Sequence, residues 1–105
     1  MQILAIDDEP LMLLALSENL KKVFCAADDT VVAFDEAADV LAFLESGAAS
    51  ADFAFLDVKL RGMLGIDLAV EIRKKCPAVR IIFCTAYAGF TLDAFNVYAL
   101  GYLLK

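Results

Sequence analysis

The chain contains no histidine and no tryptophan. Without histidine there can be no internal imidazole base, no Ser–His–Asp triad and no His-ligated metal. Its three cysteines, Cys25, Cys76 and Cys84, are an odd set with no close pair. Neither metal-binding spacing nor a disulfide framework is present, and all three read as small buried hydrophobes of a reducing cytoplasm. The longest unbroken apolar run, Leu11 to Leu16, is far shorter than a bilayer span, and no charged segment followed by an apolar one opens the chain as a secretory signal would. Linkers, internal repeats and low-complexity segments are also missing. What is present is 105 residues, 62% apolar and 23% charged, enough for one compact domain with a single core and too apolar for intrinsic disorder.

Net charge is −6, unevenly spread. Through Asp57, Lys21 and Lys22 stand against twelve acids, a balance of −10; from Val58 onward seven Lys and Arg outweigh three acids, a balance of +4. The acidic half lacks the basic stripe that nucleic-acid binding by this domain would need.

Short apolar runs alternate with amphipathic stretches along the chain. Ile3–Ile6, Val31–Phe34, Phe53–Leu56, Val79–Cys84 and Tyr102–Leu104 have strand length, β-branched and aromatic content, and apolar residues on both faces, as strands covered by helices on two sides do. Between them, Pro10 suits the first turn of a helix running to about Phe24. Ala37, Val40, Leu41 and Leu44 repeat with helical spacing, as do Leu68, Ala69 and Ile72, with Pro77 suiting a stop after Cys76. Leu92, Phe95 and Ala99 predict a fourth helix closed by Gly101. Five strands alternating with helices imply βαβ units and one doubly wound, three-layer α/β sandwich with a parallel sheet in the order 2-1-3-4-5.

Ligands of such sheets bind beyond the carboxyl ends of the strands. Those ends carry Asp7, Asp8 and Glu9 after the first strand, Asp57 after the third, Thr85 after the fourth and Lys105 after the fifth; Asp35 follows the second strand at the sheet edge. Crowded carboxylates raise one another's pKa unless a cation sits among them, and with only hard oxygen donors available Mg²⁺ is the cation of choice. A carboxylate there can also act as nucleophile toward phosphorus, with metal and ammonium neutralising the phosphoryl oxygens. Each residue has a plainer role open to it. Asp8 could cap the first helix, Asp57 could begin a turn, Thr85 could cap, and Lys105 could be a solvated chain end. None of these explains why all the polar groups fall on one rim.

The stretches Ile3–Pro10 (ILAIDDEP), Phe55–Leu60 (FLDVKL) with Gly65, Ile82–Ala86 (IFCTA) and Gly101–Lys105 (GYLLK) resemble, over the whole chain, the receiver domain of bacterial two-component response regulators. Thr85-Ala86-Tyr87 with Ala94-Phe95 ahead of Gly101-Tyr102 further resembles receivers attached to LytTR-type DNA-binding domains. The resemblance implies a flavodoxin-like, CheY-like fold in which Asp57 accepts a phosphoryl group from a separate sensor histidine kinase. It implies that Asp8 binds Mg²⁺ directly, Asp7 mostly through water, and that Asp57 and the backbone carbonyl of Lys59 complete the ligands. Thr85 and Lys105 would hold phosphoryl oxygens, and Tyr102, otherwise an ordinary core aromatic, would turn inward as Thr85 moves. The family often has proline four residues after the acceptor; Arg61 stands there, and a looser loop is expected.

Three other readings can be weighed. A phosphatase of the haloacid dehalogenase type needs an aspartate two residues after its nucleophile, where Lys59 follows Asp57 and Glu9 follows Asp7. A flavodoxin-like cofactor carrier needs a Ser-, Thr- and Gly-rich phosphate loop, and Asp7-Asp8-Glu9-Pro10 would repel phosphate. A pseudo-receiver that only binds partners would not need the intact acidic set. Because the resemblance ends before the family's fifth helix, residues 1–105 are expected to be a receiver domain truncated after the fifth strand. Apolar side chains of strands one and five and a flank of helix one would then face water, and the chain would self-associate. A cytoplasmic switch regulating transcription through a DNA-binding domain outside this sequence is the expected setting, with no membrane contact.

Overall fold

The computed structural model describes residues 1–46 and 50–105. The apolar runs form β1 (Gln2–Ile6), β2 (Thr30–Phe34), β3 (Phe53–Leu56), β6 (Arg80–Thr85) and β7 (Gly101–Leu104), and a small ribbon adds β4 (Lys59–Leu60) and β5 (Met63–Leu64). The main sheet runs β2-β1-β3-β6-β7 with every pairing parallel, which is the expected order once the ribbon strands are left out of the count. Helices α1 (Pro10–Val23), α2 (Ala37–Glu45), α3 (Gly65–Lys75) and α4 (Thr91–Asn96) connect the strands.

The pleat divides the core in two. Leu4, Ile6, Ala54, Leu56, Ile81 and Phe83 point to one face and pack with Val40 and Leu44 of α2 and Leu68, Ala69 and Ile72 of α3. Ile3 and Ala5 point to the other face, beneath Leu13, Leu16 and Leu20 of α1. In α1 these leucines recur every three or four residues, which makes one stripe of the helix apolar toward the sheet. Lys21 and Lys22 stand in its last turn, where cations complement the helix dipole.

The α1 face is the less covered of the two. Ile3 and Ala5 are fully buried, contrary to the expectation that strand one would face water. Phe24 closes over Phe53, their ring centroids 5.1 Å apart, and the Arg80 guanidinium lies 5.3 Å above the Phe53 ring. Exposed apolar groups are instead Leu103 of β7 on this face, Leu104 on the opposite one, and Leu11 and Leu14 of α1. Cys25 is exposed in the turn after α1 rather than buried, while Cys76 is buried and Cys84 partly so.

The fourth helix departs from its sequence pattern. It ends at Asn96, well before Gly101, and Leu92 and Phe95 are 71% and 75% exposed while Ala94 and Val97 turn inward. Tyr98 stops it by taking a left-handed backbone, φ 56°. Arg73 of α3 then holds the turn, its Nη1 donating to the carbonyls of Pro77 and Val79 (3.1 and 2.6 Å) and its Nη2 to those of Val97 and Tyr98 (3.3 and 3.1 Å). One guanidinium thus satisfies four carbonyls from the α3–β6 and α4–β7 connections. Arg73→Met, which keeps the apolar stem, is expected to speed amide hydrogen exchange at Val97–Leu100 and leave β1 and β3 protected. Unchanged exchange at Val97–Leu100 would show that the guanidinium does not hold this turn.

Candidate functional site

Strand register lines up the residues that matter. Ile6 pairs with Leu56, so β1 and β3 leave the sheet at one level, while Leu56 pairs with Phe83 and β6 runs two residues further to Thr85. The hydrogen-bond ladder continues one step beyond. Asp7 N–H donates to the Phe34 carbonyl (3.2 Å), Asp57 N–H to that of Ile6 (3.3 Å) and Lys105 N–H to that of Thr85 (2.8 Å). Backbone therefore presents two carboxylates and an ammonium on one rim before any side chain interacts.

The side chains then converge. Lys105 Nζ lies 2.7 Å from Asp7 Oδ2 and 2.8 Å from Asp57 Oδ2. The other oxygens are also used: Glu9 N–H donates to Asp7 Oδ1 (3.0 Å) and Lys59 N–H donates weakly to Asp57 Oδ1 (3.4 Å). Asp7, Asp57 and Thr85 are buried. Asp57 does begin a turn, so this plainer role coexists with the convergence, whereas the Thr85 hydroxyl accepts the Tyr87 N–H (3.2 Å) in a local turn and caps no helix. Asp8 caps nothing, because α1 starts from Glu9 without a side-chain cap.

Burial pushes the Asp57 carboxyl up, but the Lys105 ammonium and the Thr85 hydroxyl outweigh it and hold the group below the ordinary carboxylate range. Burial also works against the charge on Lys105, and its bonds to Asp57 and Asp7 reverse that, raising it above the ordinary lysine value. The neighbouring Cys84 thiol is pushed up by burial, which leaves it a poor nucleophile.

An open pocket of about 500 Å³ lies over this rim, walled by Asp8, Glu9, Met12, Asp57, Lys59, Leu60, Arg61, Ala86, Tyr87 and Lys105. Among the described residues no three acidic or sulfur side chains are already drawn into a metal-ligand cluster. By donor chemistry the carboxylates of Asp7, Asp8 and Asp57 and the carbonyls beside them fit a hard divalent cation that keeps much of its water. The Lys59 ammonium points elsewhere, 4.2 Å from the centre of the Tyr87 ring. Tyr102 is half-buried, its ring 6.0 Å from Phe83 and its hydroxyl donating to the Tyr87 carbonyl.

The loop after Asp57 is not loose. It folds into the β4–β5 hairpin, with Gly62 at φ 87° in the turn, a backbone conformation that favours glycine. Arg61 at its tip donates from Nη2 to the Asp8 carbonyl (3.1 Å), bridging the hairpin to the β1–α1 loop. The Arg61-Gly62 pair between two short apolar stretches was the sequence signal for this turn. Behind the hairpin Gly65 packs directly on the Asp57 segment: a side chain there would collide with the Asp57 carbonyl oxygen and lie 2.9 Å from its carbon.

A doubly wound sheet with an acidic, lysine-bridged rim is the architecture of receiver domains. The response regulator receiver domain model matches residues 3–105, and the chain belongs to that family. Among curated relatives, it is 32% identical to the positive alginate biosynthesis regulatory protein of Pseudomonas aeruginosa and 35% identical to the sensory transduction protein LytR of Staphylococcus epidermidis. Each match covers the whole of this chain but only 41% and 40% of the relative. Among solved structures, the response regulator TrrA of Thermotoga maritima, in complex with Mg²⁺–BeF, superposes with TM-score 0.80 at 29% identity, over 99% of this chain and 85% of that one. The response regulatory domain of mrkE from Klebsiella pneumoniae gives TM-score 0.83 at 29% identity, over 100% and 83%. Receiver domains are signalling domains of two-component systems rather than classic enzymes, and the family implies a phosphorylation switch.

The ion pair predicts a pH dependence. Because Asp57 is depressed, its contribution is present above the unfolded-state value of about 4 and lost as pH falls through the folded value; because Lys105 is raised, its contribution is present below about 10.4 and lost as pH climbs through its folded value. Asp57→Asn should therefore lose stability less steeply than the parent as pH falls below about 4, as denaturant unfolding at a series of pH values would record. Identical slopes would remove Asp57 from the acid transition.

Proposed function

We propose that this chain is a phosphorylation-controlled switch whose Asp57 takes a phosphoryl group from a sensor histidine kinase. The observation that carries this reading is the convergence of Asp57 and Asp7 on Lys105 Nζ at the floor of an open acidic pocket. In the step proposed, a carboxylate oxygen of Asp57 bonds to phosphorus as the donor's bond to phosphorus breaks, and the donor leaves with the electron pair. Water later attacks the same phosphorus, releasing inorganic phosphate and restoring the carboxylate. Asp8 and Asp57, the Lys59 carbonyl and, through water, Asp7 would hold Mg²⁺, which when bound neutralises charge on the phosphoryl oxygens. Lys105 would pair with one of those oxygens, and the Thr85 hydroxyl would donate to another.

Both halves of the proposed switch grip Tyr87. Its N–H bonds the Thr85 hydroxyl and its carbonyl accepts from Tyr102. Drawing Thr85 toward a phosphorylated Asp57 would release one grip and free Tyr102 to turn inward, shifting the segment through α4 between two states. The absence of a basic stripe argues that the domain does not bind nucleic acid. A cytoplasmic regulator of transcription, acting through a DNA-binding domain beyond these residues, is the setting proposed. Among the described residues no helix is long and apolar enough to cross a membrane.

Acetyl phosphate with Mg²⁺ is expected to add the mass of one phosphate to the chain and none to Asp57→Asn, as intact-protein mass spectrometry would show. A folded parent whose mass does not change would end the reading. Leu103 of β7, exposed on the less covered face, together with the exposed Leu11 and Leu14 of α1, also leads us to propose self-association. Light scattering should give a mass that falls on dilution; a dilution-insensitive monomer would refute it.

A further inference from the structure

Charges around the pocket are unevenly matched. Lys105 satisfies Asp7 and Asp57, and Lys59 is taken up over the Tyr87 ring. Among the described residues no ammonium or guanidinium pairs with the Asp8 carboxylate. Arg61 comes nearest in kind: it bonds the backbone carbonyl of that same residue, so its permanent charge lies well within a Debye length of about 8–10 Å of the carboxylate. A two-residue turn with Gly62 at positive φ fixes the hairpin tip that carries it, and the guanidinium lines the pocket beside Asp8.

We propose that Arg61 is a built-in counter-cation of the acidic rim, whose charge holds down the pocket's affinity for divalent cations. The inference rests on the reading that this pocket takes Mg²⁺. A fixed positive charge close to Asp8 repels an entering dication and has to be outweighed by the carboxylates, so half-occupancy is reached at a higher Mg²⁺ concentration. Proline, common at this place in the family, would exert no such effect. The hydrogen bond to the Asp8 carbonyl is what keeps a long, exposed side chain near enough for its charge to be felt.

The test is Mg²⁺ titration of the unphosphorylated protein, followed by calorimetry and amide NMR shifts, for the parent, Arg61→Gln and Arg61→Lys. Arg61 is exposed, so both variants should keep the fold, and the amide spectrum checks this directly. Arg61→Gln is expected to bind Mg²⁺ about three- to tenfold tighter, Arg61→Lys to stay within about twofold of the parent, and the gap to narrow at high salt. Equal or weaker binding by Arg61→Gln overturns the proposal, as does Arg61→Lys behaving like Arg61→Gln, which would make Arg61 a tether rather than a charge. Should neither parent nor variant bind Mg²⁺, the metal reading itself fails and the proposal falls with it; binding by all three with equal affinity removes only the role of Arg61.

Discussion

Lys105 Nζ, held between Asp7 and Asp57 at 2.7 and 2.8 Å, is the interaction on which the rest of the rim depends. Two carboxylates in so confined a space would repel each other without it. The ammonium joins the carboxyl ends of β1, β3 and β7, three strands far apart in sequence. It also keeps Asp57 ionised, which is the state a nucleophile toward phosphorus requires. A phosphoryl group on Asp57 would therefore arrive where a cation already stands.

Rigid and adjustable parts are placed on opposite sides of this pair. Beneath it are strands whose central residues, Ile3 to Ile6 and Ala54, Leu56, Ile81 and Phe83, are almost wholly removed from water. Above it are short connections held by few polar contacts: Arg61 on the Asp8 carbonyl, Thr85 and Tyr102 on Tyr87. Backbone ladders fix the acids, while one or two hydrogen bonds set each loop. On the proposed reading, a change of charge at Asp57 would reposition the second kind without disturbing the first.

Much of the architecture was legible from the amino acids. Apolar runs such as Phe53–Leu56 could be read as buried strands because both of their faces avoid water, and α1–α3 because their apolar residues return every three or four positions. The fourth helix was less legible. Leu92 and Phe95 keep helical spacing yet face solvent, because Arg73 and the left-handed Tyr98 end the helix at a place its own residues do not mark. The hairpin after Asp57 was overlooked because strands of two residues carry no periodicity at all.

What the sequence determined alone was the five main strands and the helices α1–α3, the parallel strand order and the type of residue at each strand end, since hydrophobic period and crossover handedness are local or topological rules. What tertiary structure decided was which of those polar ends meet. Spacing along the chain could not tell that Lys105 would bridge Asp7 and Asp57, that Asp8 would be left without a basic side-chain partner, or that Arg61 would reach across to the Asp8 carbonyl. Those outcomes depend on strand register and on a glycine turn, which place residues dozens of positions apart within hydrogen-bond reach.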